Sequence, residues 1–260
     1  MISTLAARRN GTFLHCIAFA LCCSWTLGLR VAPSSIESGK VREVSQFWRR
    51  PAFRKSMACL APCGAALGPN LDSYHSAFGV LEYAHPLVLS LNGNTILTTD
   101  WWVPPLFAFA AVAIGGLYLT GDHLLDTPAP WRRPSWPAVC ACIALFSSQY
   151  YASGLMTVLH VPPVPLAAAL AAAAVAGSVA FDCTAVGLTV AAVTALLGPL
   201  VEATIINGTH LYRYIDVDGS GGLVLGCAPW IPLVYFLGGP AVGNLARAFY
   251  STFSASMEAA

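Results

Sequence analysis

Charge is in short supply in this chain. Asp, Glu, Lys and Arg together make up 10% of its residues, where a soluble domain carries about a quarter. Hydrophobic residues make up 57%, gathered into long runs, which excludes an ordinary water-soluble globule. Signatures of catalysis are missing too. There is no nucleophile elbow, phosphate-binding loop, dinucleotide fingerprint or His-metal motif. Nor do the nine cysteines form a disulfide framework. Most lie in or beside apolar runs, where Cys acts as a small hydrophobe. Cys59 and Cys63 have neither a second pair nor a nearby His to complete a metal site. The reading is a non-enzymatic chain with no metal, no cofactor and no nucleic-acid partner.

The little charge there is falls unevenly. Residues 1–55 hold nine basic and two acidic side chains, a surplus of +7. Residues 56–260 hold four basic and ten acidic ones, a deficit of −6. Arg8 and Arg9 precede an apolar run at 13–29, the layout of a secretory signal or signal anchor. The basic, hydroxyl-bearing stretch that follows has the composition of a transit peptide. A signal followed by such a stretch matches the two-part leaders that carry proteins into plastids with extra membranes. A signal anchor with a solvated basic loop fits equally well. The expected division is a leader and linker at 1–63, a pre-domain segment at 64–100, a membrane bundle at 101–250 and a tail at 251–260.

A membrane helix needs about 20 apolar residues. Five runs qualify: 101–121, 138–159, 165–181, 187–207 and 230–250. Pro104 and Pro105 fall in a first helical turn, where proline is tolerated. Residues 66–98 read as a degenerate span, a surface helix or a loop, because Glu82, His85, Pro86, Asn92 and Asn94 interrupt them. The fold class is therefore all-α, a polytopic transmembrane bundle of five spans. It becomes six if 66–98 or the N-terminal apolar segment counts. Trp101, Trp102 and Trp230 stand at span ends, as interfacial anchors do. Arg132, Arg133 and Arg247 on one face, against Arg213 on the other, put the first face on the cytosolic-type side.

Polar groups inside spans are costly and call for partners. Glu202 is the sharpest case. It reads either as a ligand contact in a bundle cavity or as a carboxylate reaching the interface. Pro199, three residues earlier, should kink its helix. Gln149 and Tyr150 read as pocket lining or as hydrogen bonds between helices. Asp182 reads as a loop residue capping the helix that follows. In the last span, Gly238, Gly239, Pro240 and Gly243 interrupt an apolar run shortly before Asn244 and Arg247. Small residues permit close backbone approach, and Pro240 frees carbonyls near Phe236 and Leu237. The interruption marks a packing face for a helix, a partner protein or a flat ligand. Asp216 opens a stretch that resembles a calcium loop but has Cys227 where the closing Glu belongs. Asn10 and Asn207 match the glycan-acceptor pattern.

Four stretches carry a resemblance. They are WWVPPLFAFAAVAIGGLYLTGD at 101–122, FDCTAVG at 181–187, NGTHLYRY at 207–214 and WIPLVYFLGGPAVGNLARAF at 230–249. In that order they resemble the insulin-induced gene (INSIG) family over about residues 100–250. The resemblance implies six helices, the endoplasmic-reticulum membrane and no catalysis. It implies an oxysterol held among the helices, or another isoprenoid lipid in its place. It also implies a partner of the sterol-sensing polytopic type, retention of the escort protein Scap and degradation of HMG-CoA reductase. By position, Glu202 stands where the family has Gln. Tyr150 and Tyr151 stand where it has Asn-His. Asp216 or Asp218 lies near a loop Asp tied to Scap binding. The family's basic Phe-Asp loop is uncharged after Asp182 here. The expected ligand contacts are thus Gln149, Tyr150, Glu202 and Phe236. The expected packing or partner residues are Gly238, Gly239, Pro240, Gly243, Asn244, Asp182 and Asp216. One alternative is a plastid membrane protein of the same fold that binds lipid or pigment or assists assembly. A small transporter is another, weakened by the lack of an inverted repeat.

Overall fold

The computed structural model describes residues 35–217 and 222–258. The apolar run at 13–29, Asn10 and Asp218 lie outside the described residues. Contacts divide the chain into a unit 1–43 and a unit 44–260. Helix α1 (Ser35–Trp48) runs across that division. The larger unit holds α2 (Pro51–Ala77), α3 (Val103–Leu124), the short α4 (Ala129–Arg132), α5 (Trp136–Val158), α6 (Pro163–Phe181), α7 (Ala185–Thr209) and α8 (Ile231–Glu258). Four of them, α3, α5, α6 and α7, are long and apolar enough to cross a membrane. The chain is a polytopic helical membrane bundle.

Local chemistry sets the helix ends. Proline occupies the first turn of α2, α3, α5 and α6, where its missing N–H has no partner to lose. The Ser135 hydroxyl accepts from Ala138 N at the start of α5. The Thr184 hydroxyl accepts from Gly187 N at 2.9 Å at the start of α7. Helix α7 ends at His210, in the left-handed region with φ 55°. Both α7 and α8 continue through an internal proline, Pro199 and Pro240.

Five spans were expected by composition, and four meet that test. The exception is the last, α8. It packs against every other long helix, and most of its residues from Leu237 to Ala248 are buried. A helix sheathed by protein needs no lipid-compatible surface, so its composition is freed for Asn244 and Arg247. Cover by its neighbours also explains why the chain stays helical at the Gly-Gly-Pro. Where Pro240 removes a backbone bond, surrounding protein excludes lipid. Helix α2 is sheathed similarly, packing on α3, α5 and α8.

Residues 66–98 resolve into two kinds of structure. The first part completes α2, 27 residues long, which begins at Pro51. The second forms strands that an all-helical reading did not include: β1 (Leu81–Tyr83), β2 (Leu87–Leu91) and β3 (Asn94–Thr99). β2 and β3 form an antiparallel hairpin. β1 pairs with β4 (Tyr212–Tyr214), joining the connection after α2 to the connection after α7.

The helices alternate in direction, which gives the bundle two faces. Trp48 Nε1 donates to Thr120 Oγ1 at 2.9 Å, and the Phe47 ring stacks on His123 at 4.4 Å. The start of α2 thus lies beside the end of α3. Exposed Arg49, Arg50, Arg54, Lys55, Arg132 and Arg133 share this face. The opposite face carries Arg213, ion-paired with Glu82. Arg247 leaves the charge count, because it is fully buried and ion-paired. The bias survives without it, and it is the bias that the positive-inside rule expects of a cytosolic side. Trp102 and Trp230 are buried rather than interfacial; only Trp101, 67% exposed, keeps the character expected of an anchor.

Candidate functional site

On the face opposite Arg132, five elements, α2, β1, α7, β4 and α8, bring buried carboxylates and tyrosines together. The β1–β4 ladder pairs Leu81 with Tyr214, Glu82 with Arg213 and Tyr83 with Tyr212. Alternation turns Glu82 and Arg213 to water and the other four side chains inward. Tyr214 Oη donates to both Glu202 oxygens, at 3.2 and 3.4 Å. The Tyr212 and Tyr235 hydroxyls bear on the same carboxylate. Tyr83 Oη donates to Asp72 Oδ2 at 3.2 Å, and Asp72 in turn feels the Glu202 charge. Burial, with the Glu202 charge adding to it, pushes the Tyr212 and Tyr214 phenols up. Both remain neutral donors. Burial pushes the neighbouring Cys227 thiol up to about 12, so it is a thiol and no nucleophile.

Around this cage lies an aromatic wall. His75 is fully buried and stacks on Tyr150 with ring centroids 4.9 Å apart, while Trp230 meets it edge-on at 5.2 Å. Its Nε2 lies 3.2 Å from the Tyr150 carbonyl and 2.9 Å from Ser153 Oγ. A carbonyl only accepts, so Nε2 carries the proton. His75 Nδ1, Trp102 Nε1 and Gln149 Oε1 are buried without hydrogen-bond partners among the described residues. The Tyr150 hydroxyl approaches Tyr235 but completes no hydrogen bond of good geometry. Buried polar atoms in native proteins are satisfied by protein, water or a bound polar group. A half-open surface cleft of about 460 Å³ lies on the ladder and shares Tyr83 and Tyr212 with the cage, while Glu202, Tyr150, Gln149 and Phe236 do not line it.

The residues singled out from the sequence separate into two groups. Glu202, Tyr150 and Gln149 come together at the cage end. Gln149 Nε2 donates to Leu170 O at 2.8 Å and Leu233 O at 3.3 Å, tying α5 to α6 and α8. Phe236 is half-buried on α8, and Asp216 is half-buried just beyond β4. The others gather along α8 toward the opposite end. A Cβ on Gly239 would sit 2.8 Å from the Ala191 backbone of α7, and one on Gly243 would enter the Tyr118 ring of α3. Gly238 faces the Phe146 ring, and Pro240 is buried among these contacts. Asn244 Nδ2 donates to Phe181 O at 3.1 Å.

Asp182 takes part in a buried charge network. Arg247 donates to both Asp122 oxygens, Nε at 2.7 Å and Nη2 at 2.8 Å. Its Nη1 pairs with Asp182 Oδ2 at 2.8 Å, and its guanidinium lies 4.9 Å over the Tyr118 ring. Asp182 Oδ1 receives the Thr184 hydroxyl at 2.7 Å, and Thr184 rather than Asp182 caps α7.

Sequence reasoning missed Asp72, His75, Tyr83, Asp122, Tyr212, Tyr214 and Tyr235. Signals were present. Asp72 and His75 stand three apart on one helix, hence on one face. Tyr212 and Tyr214 alternate as strand residues do.

No family model matches the chain. Insulin-induced gene 1 protein of Cricetulus griseus is 31% identical over 218 residues, 76% of this chain and 79% of that protein. The Danio rerio protein of the same name is 32% identical over 155 residues, 59% of this chain and 58% of its own length. For the Homo sapiens protein the figures are 33% over 154 residues, 59% of this chain and 52% of that one. Among solved structures, the mycobacterial Insig homolog MvINS from Mycobacterium vanbaalenii superposes with TM-score 0.60 at 22% identity. That match covers 75% of this chain and 94% of that one, and it supports the fold alone. The plastid alternative finds no support among these relatives.

Proposed function

The chain belongs to the insulin-induced gene family, and from that premise we propose that it is a non-catalytic regulator in the endoplasmic-reticulum membrane. It binds a sterol or related isoprenoid among its helices and holds a second polytopic membrane protein of the sterol-sensing type. The observation that carries this reading is Glu202. It is a buried carboxylate in the half of the bundle away from Arg132, ringed by Tyr212, Tyr214 and Tyr235. Beside it stand buried aromatic rings and the Tyr150 hydroxyl, which lacks a hydrogen bond of its own. An apolar ligand with one hydroxyl suits such a site, because the rings take the hydrocarbon and the polar ring takes the hydroxyl.

Photolabelling the full-length protein with a photoreactive sterol tests this. Labelling should be saturable, fall strongly in Glu202→Leu and persist in Glu202→Gln, which keeps a polar group at that position. Saturable labelling unchanged in Glu202→Leu would overturn the site. Absence of saturable labelling by any sterol or isoprenoid probe would overturn the ligand class. Sterol-dependent co-purification with a sterol-sensing membrane protein checks the partner, and a fluorescent fusion checks the organelle.

A further inference from the structure

The β2–β3 hairpin meets the cage at its base, where Thr99 approaches the Tyr83 hydroxyl, and the composition of the rest is unusual for a surface element. Residues 86–99 contain no Asp, Glu, Lys or Arg. Leu87, Val88, Leu89, Leu91 and Ile96 are 54–62% exposed. Asn92 and Gly93 form the tip in the left-handed region, with φ 52° and 79°. Pairing is two-stranded, so each strand has an open edge. Such a hairpin is marginal in water on its own. Open edges on soluble proteins are usually guarded by charge, and here there is none.

Placement narrows what covers it. Thr98 N donates to Ser73 Oγ of α2 at 2.9 Å, which pins β3 against the bundle. The hairpin leads through Trp101, 67% exposed, into α3, one of the four membrane-crossing helices. Its base is therefore at the membrane surface on the face away from Arg132 and Arg133. The hydrocarbon core is excluded, because unpaired edge N–H and C=O groups are not tolerated there. Bulk water is disfavoured by the contiguous apolar side chains. The headgroup and upper acyl region satisfies both demands, since water still reaches the backbone while leucine and isoleucine leave it. Exposed Trp101 marks the same depth. We propose that the β2–β3 hairpin lies in the bilayer interface of the non-cytosolic leaflet, as a lipid-contacting foot of the bundle.

The test uses the full-length protein in phosphatidylcholine vesicles, with p-benzoylphenylalanine in place of Leu89 or Leu91. Phe109, 60% exposed on α3, is the lipid-facing reference position, and exposed Glu258 at the end of α8 is the aqueous one. Intact-protein mass spectrometry after illumination should show lipid adducts at Leu89 and Leu91 of the same order as at Phe109, with loss of the adduct at Glu258. Lipid adducts at Phe109 but none in the hairpin would overturn the proposal. So would hairpin crosslinks to a second copy of the chain, which would make the open edge a protein interface. Flotation with the vesicles and an unchanged circular-dichroism spectrum, checked for each hairpin variant, certify insertion and folding, so a failed hairpin result is not a folding failure.

Discussion

The two ends of the bundle treat buried polarity in opposite ways. Toward the Arg132 face, one guanidinium serves two carboxylates with Thr184 and Tyr118 in support, and beside them only the Asn244 carbonyl oxygen is left without a partner among the described residues. At the other end two carboxylates meet phenols, and neighbouring polar atoms lack partners among the described residues. A network of paired charges fixes the helices. A ring of donors with capacity left over can receive something else. The contrast separates the part that holds the bundle together from the part proposed to bind a ligand, and substitutions at each end should differ in kind.

The largest effect is expected from Arg247→Leu. It leaves Asp122 and Asp182 buried without their counter-charge, at a cost of about 3–5 kcal/mol. Unfolding in detergent should show it, and adding Asp122→Asn and Asp182→Asn to Arg247→Leu should restore part of the loss. Next is Gly243→Ala, where a methyl group must enter the space of the Tyr118 ring. Overpacking of this kind costs about 1–3 kcal/mol, again read by unfolding, with sterol labelling retained in the folded fraction. Tyr214→Phe removes a donor to Glu202 and should cost about 1–2 kcal/mol while also weakening sterol labelling. Tyr150→Phe sharpens the contrast most. Its hydroxyl completes no hydrogen bond of good geometry, so removing it should leave stability unchanged or raise it; labelling should still fall. Equal loss of stability and labelling there would erase the distinction between the ends. Smallest of all, Glu82→Ala breaks a cross-strand ion pair whose partners are 56–68% exposed. It should cost about 0.2–1 kcal/mol, less at high salt.

How much of this was legible in the sequence depended on whether lipid or protein surrounds each helix. The four lipid-facing helices announce themselves by hydropathy, and their ends fall close to where the apolar runs stop. Helix α2 does not, because Asn70, Asp72 and His75 break its apolar character, and two of these are buried among other helices. Arg247 illustrates the same difficulty. From spacing it looks like a topology-setting charge at a helix end, and only packing reveals it as an interior cation. Glu202 and Tyr150 could be picked out one at a time as polar groups in apolar surroundings. Their company could not, because Tyr212 and Tyr214 reach Glu202 through a strand pairing whose two halves are separated by about half the chain. The Gly-Gly-Pro stretch reads as an interruption in isolation. Close neighbours let the helix run through it unbroken.

Helix α8 touches every other long helix, and it is also the last of the described helices to leave the ribosome. Until it enters, Asp122 and Asp182 are already inserted with no arginine to meet them, and the grooves that receive Gly239 and Gly243 stand open. A chain stopped short of Arg247 therefore keeps two buried acids with no counter-charge, so the last helix to arrive is the one that neutralises the interior of the others.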